Sequence, residues 1–160
     1  MSVPSLQEVR VVDVNFGENV TVVQPCNLYG CAIGDNVFVG PFTEIQKGVT
    51  IGSRTKVQSH AFICELVNIG DDCFIGHGVM FTNDAFATGG PARGKRELWR
   101  STSIGHRVSI GSNATLLPVQ VCDDVVIGAG AVVTKNITKP GVYAGNPARL
   151  FRTLTSKTID

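Results

Sequence analysis

The sequence predicts an all-β chain wound into a parallel β-helix, a solenoid built on a six-residue repeat, and three observations predict it. First, a column of large apolar residues starts at Ile33 and recurs every six positions: Ile33, Val39, Ile45, Ile51, Val57, Ile63, Ile69, Ile75 and Phe81. If about one residue in three were apolar at random, such a run would have odds on the order of 1 in 10⁴. The column resumes at Ile104, Ile110 and Leu116, and again at Val121, Ile127 and Val133. Second, the residue after the anchor is often glycine: Gly34, Gly40, Gly52, Gly70, Gly76, Gly105, Gly111 and Gly128. Third, the residue four after the anchor is small or β-branched, as at Val37, Thr43, Val49, Thr55, Ala61, Cys73 and Ala131. These positions read as a short strand, a turn permitted by glycine, and another short strand. A period of six fits neither a helix nor a hairpin array. It fits three flat faces per coil, so about 18 residues return the chain above itself.

The elements follow in order. One domain spans 1–160, with repeats over about 14–137, a loop insertion over about 84–101 and a C-terminal segment over 138–160. Two corners are short by one residue, between Leu28 and Ile33 and between Leu116 and Val121. The loop, DAFATGGPARGKRELWR, carries Arg93, Lys95, Arg96 and Arg100 with the single tryptophan, Trp99. A loop this long inside a compact domain is usually functional or disordered, and its basic residues suit a phosphate-bearing ligand. After Val133, Pro140-Gly141 and Asn146-Pro147 mark turns. Val142-Tyr143-Ala144 reads as a short strand, and the tail from Arg149 as a short helix or a frayed end.

Composition narrows the functional classes. A net charge of +1 gives no field toward nucleic acid or an anionic membrane. No stretch approaches the roughly 18 apolar residues of a membrane span. The start, Met-Ser-Val-Pro-Ser-Leu, lacks the pattern of a secretory leader. Five cysteines with no Cys-x-x-Cys pair argue against a disulfide framework and a zinc ribbon, and point to a reducing cytoplasm. Cys73 falls in the small-residue column and reads as core filler, as do the other four.

The period is also a ruler for polar groups. Glu65 and Asn83 both lie two after an anchor, one coil apart, which stacks them about 4.8 Å apart on one edge. Lys47 occupies the same column one coil earlier. His77 takes the equivalent place on the neighbouring edge, above Ser59. A carboxylate beneath a carboxamide at the mouth of a basic loop suits an amine, since both offer oxygen acceptors. Glu65 or His77 is then the candidate to take the released proton. The same side chains serve equally as edge residues that satisfy turn amides.

The segments FIGHGVMFTND, TSIGHRVSIGSNATLLP, IGAGAVVTKNI and YAGNPAR, with NLYGCAIGDN and GPFTEIQKGVTIG before them, resemble bacterial hexapeptide-repeat N-acetyltransferases of nucleotide-linked amino sugars. The resemblance covers residues 14–150. It implies a left-handed β-helix, a homotrimer with sites between adjacent prisms, and acetyl-CoA as co-substrate. The acceptor would be a dTDP- or UDP-linked deoxyamino sugar bound for surface polysaccharide. Asn83 and Glu65 would hold the amine, with His77 as the third catalytic candidate. His60, Asp84, Arg93, Arg96 and Trp99 are the substrate-binding candidates. Gly111, Ala129 and Ala131 match the part of the family that offers backbone groups to pantetheine, and Lys135 and Arg149 match basic positions near the CoA phosphates. One departure stands out: the family's Leu-Pro-Gly-Val is Leu117-Pro118-Val119 here, without the glycine. The γ-class carbonic anhydrases share the fold, but their close histidine pair is missing from His60, His77 and His106, so no metal is expected. The alternatives are an O-acetyltransferase or xenobiotic acetyltransferase on the same scaffold, and a non-catalytic trimeric scaffold.

Overall fold

The computed structural model describes residues 4–5 and 8–154. Residues 1–3, 6–7 and 155–160 lie outside the described residues, and with them part of the stretch read for a leader and the end of the C-terminal segment.

Fifteen of fifteen anchors point inward, none more than 4% exposed. Each stands at the end of a short strand, and parallel pairing stacks the strands into three faces. Face I runs from Val11–Val12 through Asn27–Tyr29, Glu44–Ile45, Phe62–Ile63, Met80–Phe81 and Thr115–Leu116 to Val132–Val133. Face II runs from Asn15–Phe16 to Gln120–Val121, and face III from Thr21–Val22 to Gly141–Ala144 and Arg149–Arg152. Regular coils pair residues 18 apart, as Phe62 with Met80. The two short corners give coils of 17, seen in Leu28 with Ile45 and Leu116 with Val133. Across the loop Phe81 pairs with Leu116, 35 positions on and 17 more than a regular coil, so the insertion leaves the register intact.

The glycine after each anchor has a different role from the one expected. The left-handed backbone sits three after the anchor, at residues such as Asn36, Phe42, Arg54, His60, Leu66 and Asp72, which are not glycine. The glycines one after the anchor are needed for space. A Cβ on Gly40 would lie 2.6 Å from the Ser59 nitrogen, and one on Gly70 2.6 Å from the Gly105 carbonyl oxygen. At these glycines the stacked coils approach too closely for a Cβ, whereas coils that carry Gln46 or Gln58 at the same position are spaced to admit one.

The core is aliphatic with three buried threonines. The Thr55 hydroxyl donates to the Gly70 carbonyl at 3.0 Å and accepts the Cys73 N–H at 3.0 Å. Thr55→Val strands that amide, so a loss of about 1–3 kcal/mol is expected, read as a lower urea midpoint at unchanged slope. Cys26, Cys31, Cys64 and Cys73 are buried and Cys122 partly so. Burial pushes the Cys31 and Cys64 thiols up to about 11. In the folded protein at about pH 8, Ellman's reagent should therefore modify Cys122 first and the other four only on unfolding.

The C-terminal segment corrects the expected helix or frayed end. Arg149–Arg152 is an antiparallel strand against Gly141–Ala144 and closes face III. All four of its residues are exposed, so no buried periodicity announced it. Among the described residues no helix is long and apolar enough to cross a membrane.

Candidate active site

The faces meet in three edges, and every interruption of the repeat falls on the I–II edge. The short corner after Leu28, the loop after Asn83, the short corner after Leu116 and the departure after Val133 all follow a face I strand. The II–III edge shows what an undisturbed edge does. There the side chains of Asp35, Ser53, Asp71, His106 and Asp123 each accept a backbone N–H from the adjacent coil, at 2.8–3.1 Å. These residues are structural caps, and His106 is one of them.

Glu65 and Asn83 depart from that pattern. The Asn83 Nδ2 donates to the Glu65 backbone carbonyl at 3.2 Å, which realises the expected stacking. Among the described residues the Glu65 carboxylate caps no amide; its partner is the Arg96 guanidinium. Its own N–H goes to Gln46 Oε1 at 3.2 Å, and Gln46 Nε2 donates to Glu44 at 2.7 Å. Tyr29 reaches the same Glu44 at 3.4 Å. Burial, then Glu44, raises the phenol above its usual range. Gln46, Glu44 and Tyr29 thus extend the site down the edge. Sequence reasoning missed them because they are spread over different positions of the repeat.

The loop is tied down over this floor. The Asp84 carboxylate accepts the Phe86 N–H at 2.9 Å and the Ala92 N–H at 2.6 Å, and Asp84 bridges Trp99 as an antiparallel pair. The Arg100 N–H donates to the Asn83 carbonyl at 2.8 Å, closing the base. Arg96 opens a 3₁₀ turn, Arg96–Leu98, and its guanidinium lies 5.5 Å from the centroid of the Trp99 ring. Arg93 and Lys95 line a separate hollow of about 310 Å³ inside the loop. Asp84 therefore shapes the loop, while Arg96 reaches Glu65 from beside the Trp99 ring.

Above Asn83 lie two neighbouring hollows. One of about 380 Å³ lies among Ala85, Arg100, Ser101, Pro118 and Thr134. The next, of about 230 Å³, is lined by Lys135, Tyr143 and Arg149. Asn136 borders both, so they adjoin, and the track they make crosses from the I–II edge to the face III strands of Tyr143 and Arg149. The corner lacking the family glycine forms its wall, with Val119 turned into the core.

The remaining candidates lie elsewhere in the chain. His77 follows a face III strand and Asn83 a face I strand, so the full width of face I separates them. His60 shares the III–I edge with His77 and stacks on Phe42 at 4.9 Å. Gly111 and Ala129 lie on that edge too, Gly111 closing against the Ala129 backbone. Ala131 is buried, and its N–H and carbonyl bond to Gly128 and Thr115. Of the amides of Gly128 to Ala131, only that of Ala129 lacks a partner among the described residues. One chain thus gathers Glu65, Asn83, Arg96, Trp99 and Lys135 at the I–II edge and leaves His60, His77, Gly111 and Ala129 on the III–I edge, with Arg149 paired to Ala144 on face III.

Comparison with known proteins agrees with this architecture. Residues 30–65 match the bacterial transferase hexapeptide (six repeats), and residues 101–135 the hexapeptide repeat of succinyl-transferase. The putative lipopolysaccharide biosynthesis O-acetyl transferase WbbJ of Escherichia coli K12 is 32% identical, over 91% of this chain and 74% of that protein. The bifunctional protein GlmU of Paramagnetospirillum magneticum is 33% identical over 82% of this chain, which spans only 30% of GlmU. Among solved structures, AntD, an N-acyltransferase from Bacillus cereus in complex with dTDP and coenzyme A, superposes with a TM-score of 0.78. It is 21% identical, with 88% of this chain and 84% of that one covered. At that identity the likeness speaks for the fold. The similarity to WbbJ along most of both chains, with the two repeat matches, places the protein among the bacterial hexapeptide-repeat transferases, whose left-handed prism the sequence resemblance implied.

Proposed function

We propose that the protein transfers the acetyl group of acetyl-CoA to the amine of a nucleotide-linked deoxyamino sugar. The observation that carries this reading is the Glu65–Asn83 stack, whose carboxylate pairs with Arg96 and serves no turn amide among the described residues, beneath a basic loop that bears Trp99. The amine nitrogen attacks the thioester carbonyl. A C–N bond forms, the C–S bond breaks, and the thiolate leaves. Asn83 Oδ1 and Glu65 accept N–H bonds from the amine and orient it. Glu65 or the departing thiolate takes the proton. No metal enters the reaction.

Acetyl-CoA follows the track above Asn83. Lys135 and Arg149 offer two cations where its phosphates would lie. Arg93 and Lys95, which line the hollow in the loop, would meet the diphosphate of the sugar nucleotide. A homotrimer fits the outward residues. Phe38, Phe62, Phe74, Met80 and Val132 stand on faces I and III, while face II shows Asn15, Thr50, Asn68, Ser103 and Gln120. Faces I and III would be covered by neighbouring copies, and His77 on the edge between them would serve a site shared with a neighbour. In this reading the enzyme works in the cytoplasm, and its products feed surface polysaccharide.

The similarity to WbbJ favours a second reading, an O-acetyltransferase. A hydroxyl acceptor needs a true general base, so His77→Ala should abolish transfer there. A thermal-shift series with acetyl-CoA, then dTDP- and UDP-linked amino sugars, tests the first reading. Stabilisation by acetyl-CoA and by one amino sugar nucleotide supports it. No shift with any CoA species leaves only a scaffold.

A further inference from the structure

Resting on the acyltransferase reading, we infer that Arg96 is a charge filter for the acceptor: its guanidinium holds Glu65 in the free protein, and only a cationic acceptor nitrogen displaces it. The Glu65 side chain is 18% exposed, whereas Arg96 is 59% exposed. The partly buried anion needs a partner, and the loop supplies one. Arg96 is held for this role. Its carbonyl accepts the Trp99 N–H at 3.0 Å, and the indole ring lies under its guanidinium. The Arg100 guanidinium ties the same segment together by donating to the Glu97 and Trp99 carbonyls at 2.9 and 3.0 Å. The Arg100 N–H then fixes the segment to Asn83. The guanidinium therefore sits where an acceptor amine would have to be, on the carboxylate that would orient it.

Exchange at such a site is governed by charge. An ammonium group replaces the guanidinium cation for cation, and the carboxylate keeps a charge-assisted partner. A hydroxyl offers one neutral hydrogen bond in place of an ion pair, so it leaves Arg96 where it is. Displacement also moves the guanidinium off its place 5.5 Å from the Trp99 ring centroid. Once Arg96 has gone, Glu65 accepts one proton from the ammonium. The neutral nitrogen then bonds to the acetyl carbon, and its second proton goes to the departing thiolate. Selectivity for an amine over a hydroxyl on the same sugar is thus set by a loop residue remote in sequence from Glu65.

Trp99, the single tryptophan, reports the exchange. Matched sugar nucleotides differing only in amine or hydroxyl at one carbon, in the dTDP and UDP series, are titrated into wild type, Arg96→Ala and Arg96→Gln. Binding is read by calorimetry and displacement by Trp99 fluorescence. In wild type, one amine should bind at least about tenfold tighter than its hydroxyl partner and change the emission. In both variants the gap should narrow to about threefold because the hydroxyl sugar gains affinity. Binding of the amine with no change in emission overturns the inference, as does an equal weakening of both sugars or an unchanged gap. If no sugar nucleotide binds wild type while acetyl-CoA does, the proposed acceptor class fails, and this inference with it.

Discussion

Asn83→Ala is expected to lower kcat/KM for the amino sugar nucleotide by about 100-fold or more, the usual cost of losing orientation at a reacting nitrogen. Acetyl-CoA binding should change little, because Asn83 stands at the foot of the track and not along it. The reason lies in the stack. With Nδ2 committed to the Glu65 carbonyl, the amide has one orientation, and Oδ1 is the atom left to accept from a ligand. Glu65→Gln should cost a comparable factor, since it removes both the negative charge and the proton acceptor. His77→Ala should cost less than either, because His77 stands across face I. Thiol release from acetyl-CoA, measured at several sugar concentrations, separates the three. An Asn83→Ala enzyme within tenfold of wild type would remove the stack from the mechanism.

The largest stability effect is expected at Phe81. It is the bulkiest fully buried side chain and pairs with Leu116 across the insertion. Phe81→Ala should cost about 3–5 kcal/mol, a large share of the roughly 5–15 kcal/mol that holds a typical domain together. Ile75→Val, at the preceding anchor on face III, should cost only about 0.5–1.5 kcal/mol. Equilibrium urea unfolding measures both. Because each coil touches only its neighbours, Phe81→Ala should also broaden the transition, as the two halves of the solenoid begin to melt apart. Equal losses for the two variants would mean that coil stacking relaxes around the cavity.

The anchors, the 18-residue coil and the Glu65–Asn83 stack were legible because burial repeats with a fixed period. The glycines were legible as a column but not in purpose. Their need is set by backbone on the next coil, whereas the left-handed turn position is filled by residues as unlike as Phe42, Arg54 and Leu66. The terminal strand Arg149–Arg152 buries nothing, so no pattern marked it. The pairing of Arg96 with Glu65 spans 31 positions and ends inside the loop, where the ruler has no marks. Placing the cofactor candidates required the edges. Lys135 from the I–II edge and Arg149 from face III line one hollow, while the run from Gly128 to Ala131 lies on the III–I edge and uses most of its amides internally.

The loop leaves and re-enters the prism at neighbouring points, closed by the Arg100 N–H on the Asn83 carbonyl, and the ladder resumes in register. Whatever lies between those two residues can therefore vary in length and chemistry while the core keeps its hydrogen bonds. Such a junction behaves as an exchangeable cassette. A foreign loop grafted between Asn83 and Arg100 would therefore leave the stacked core in register.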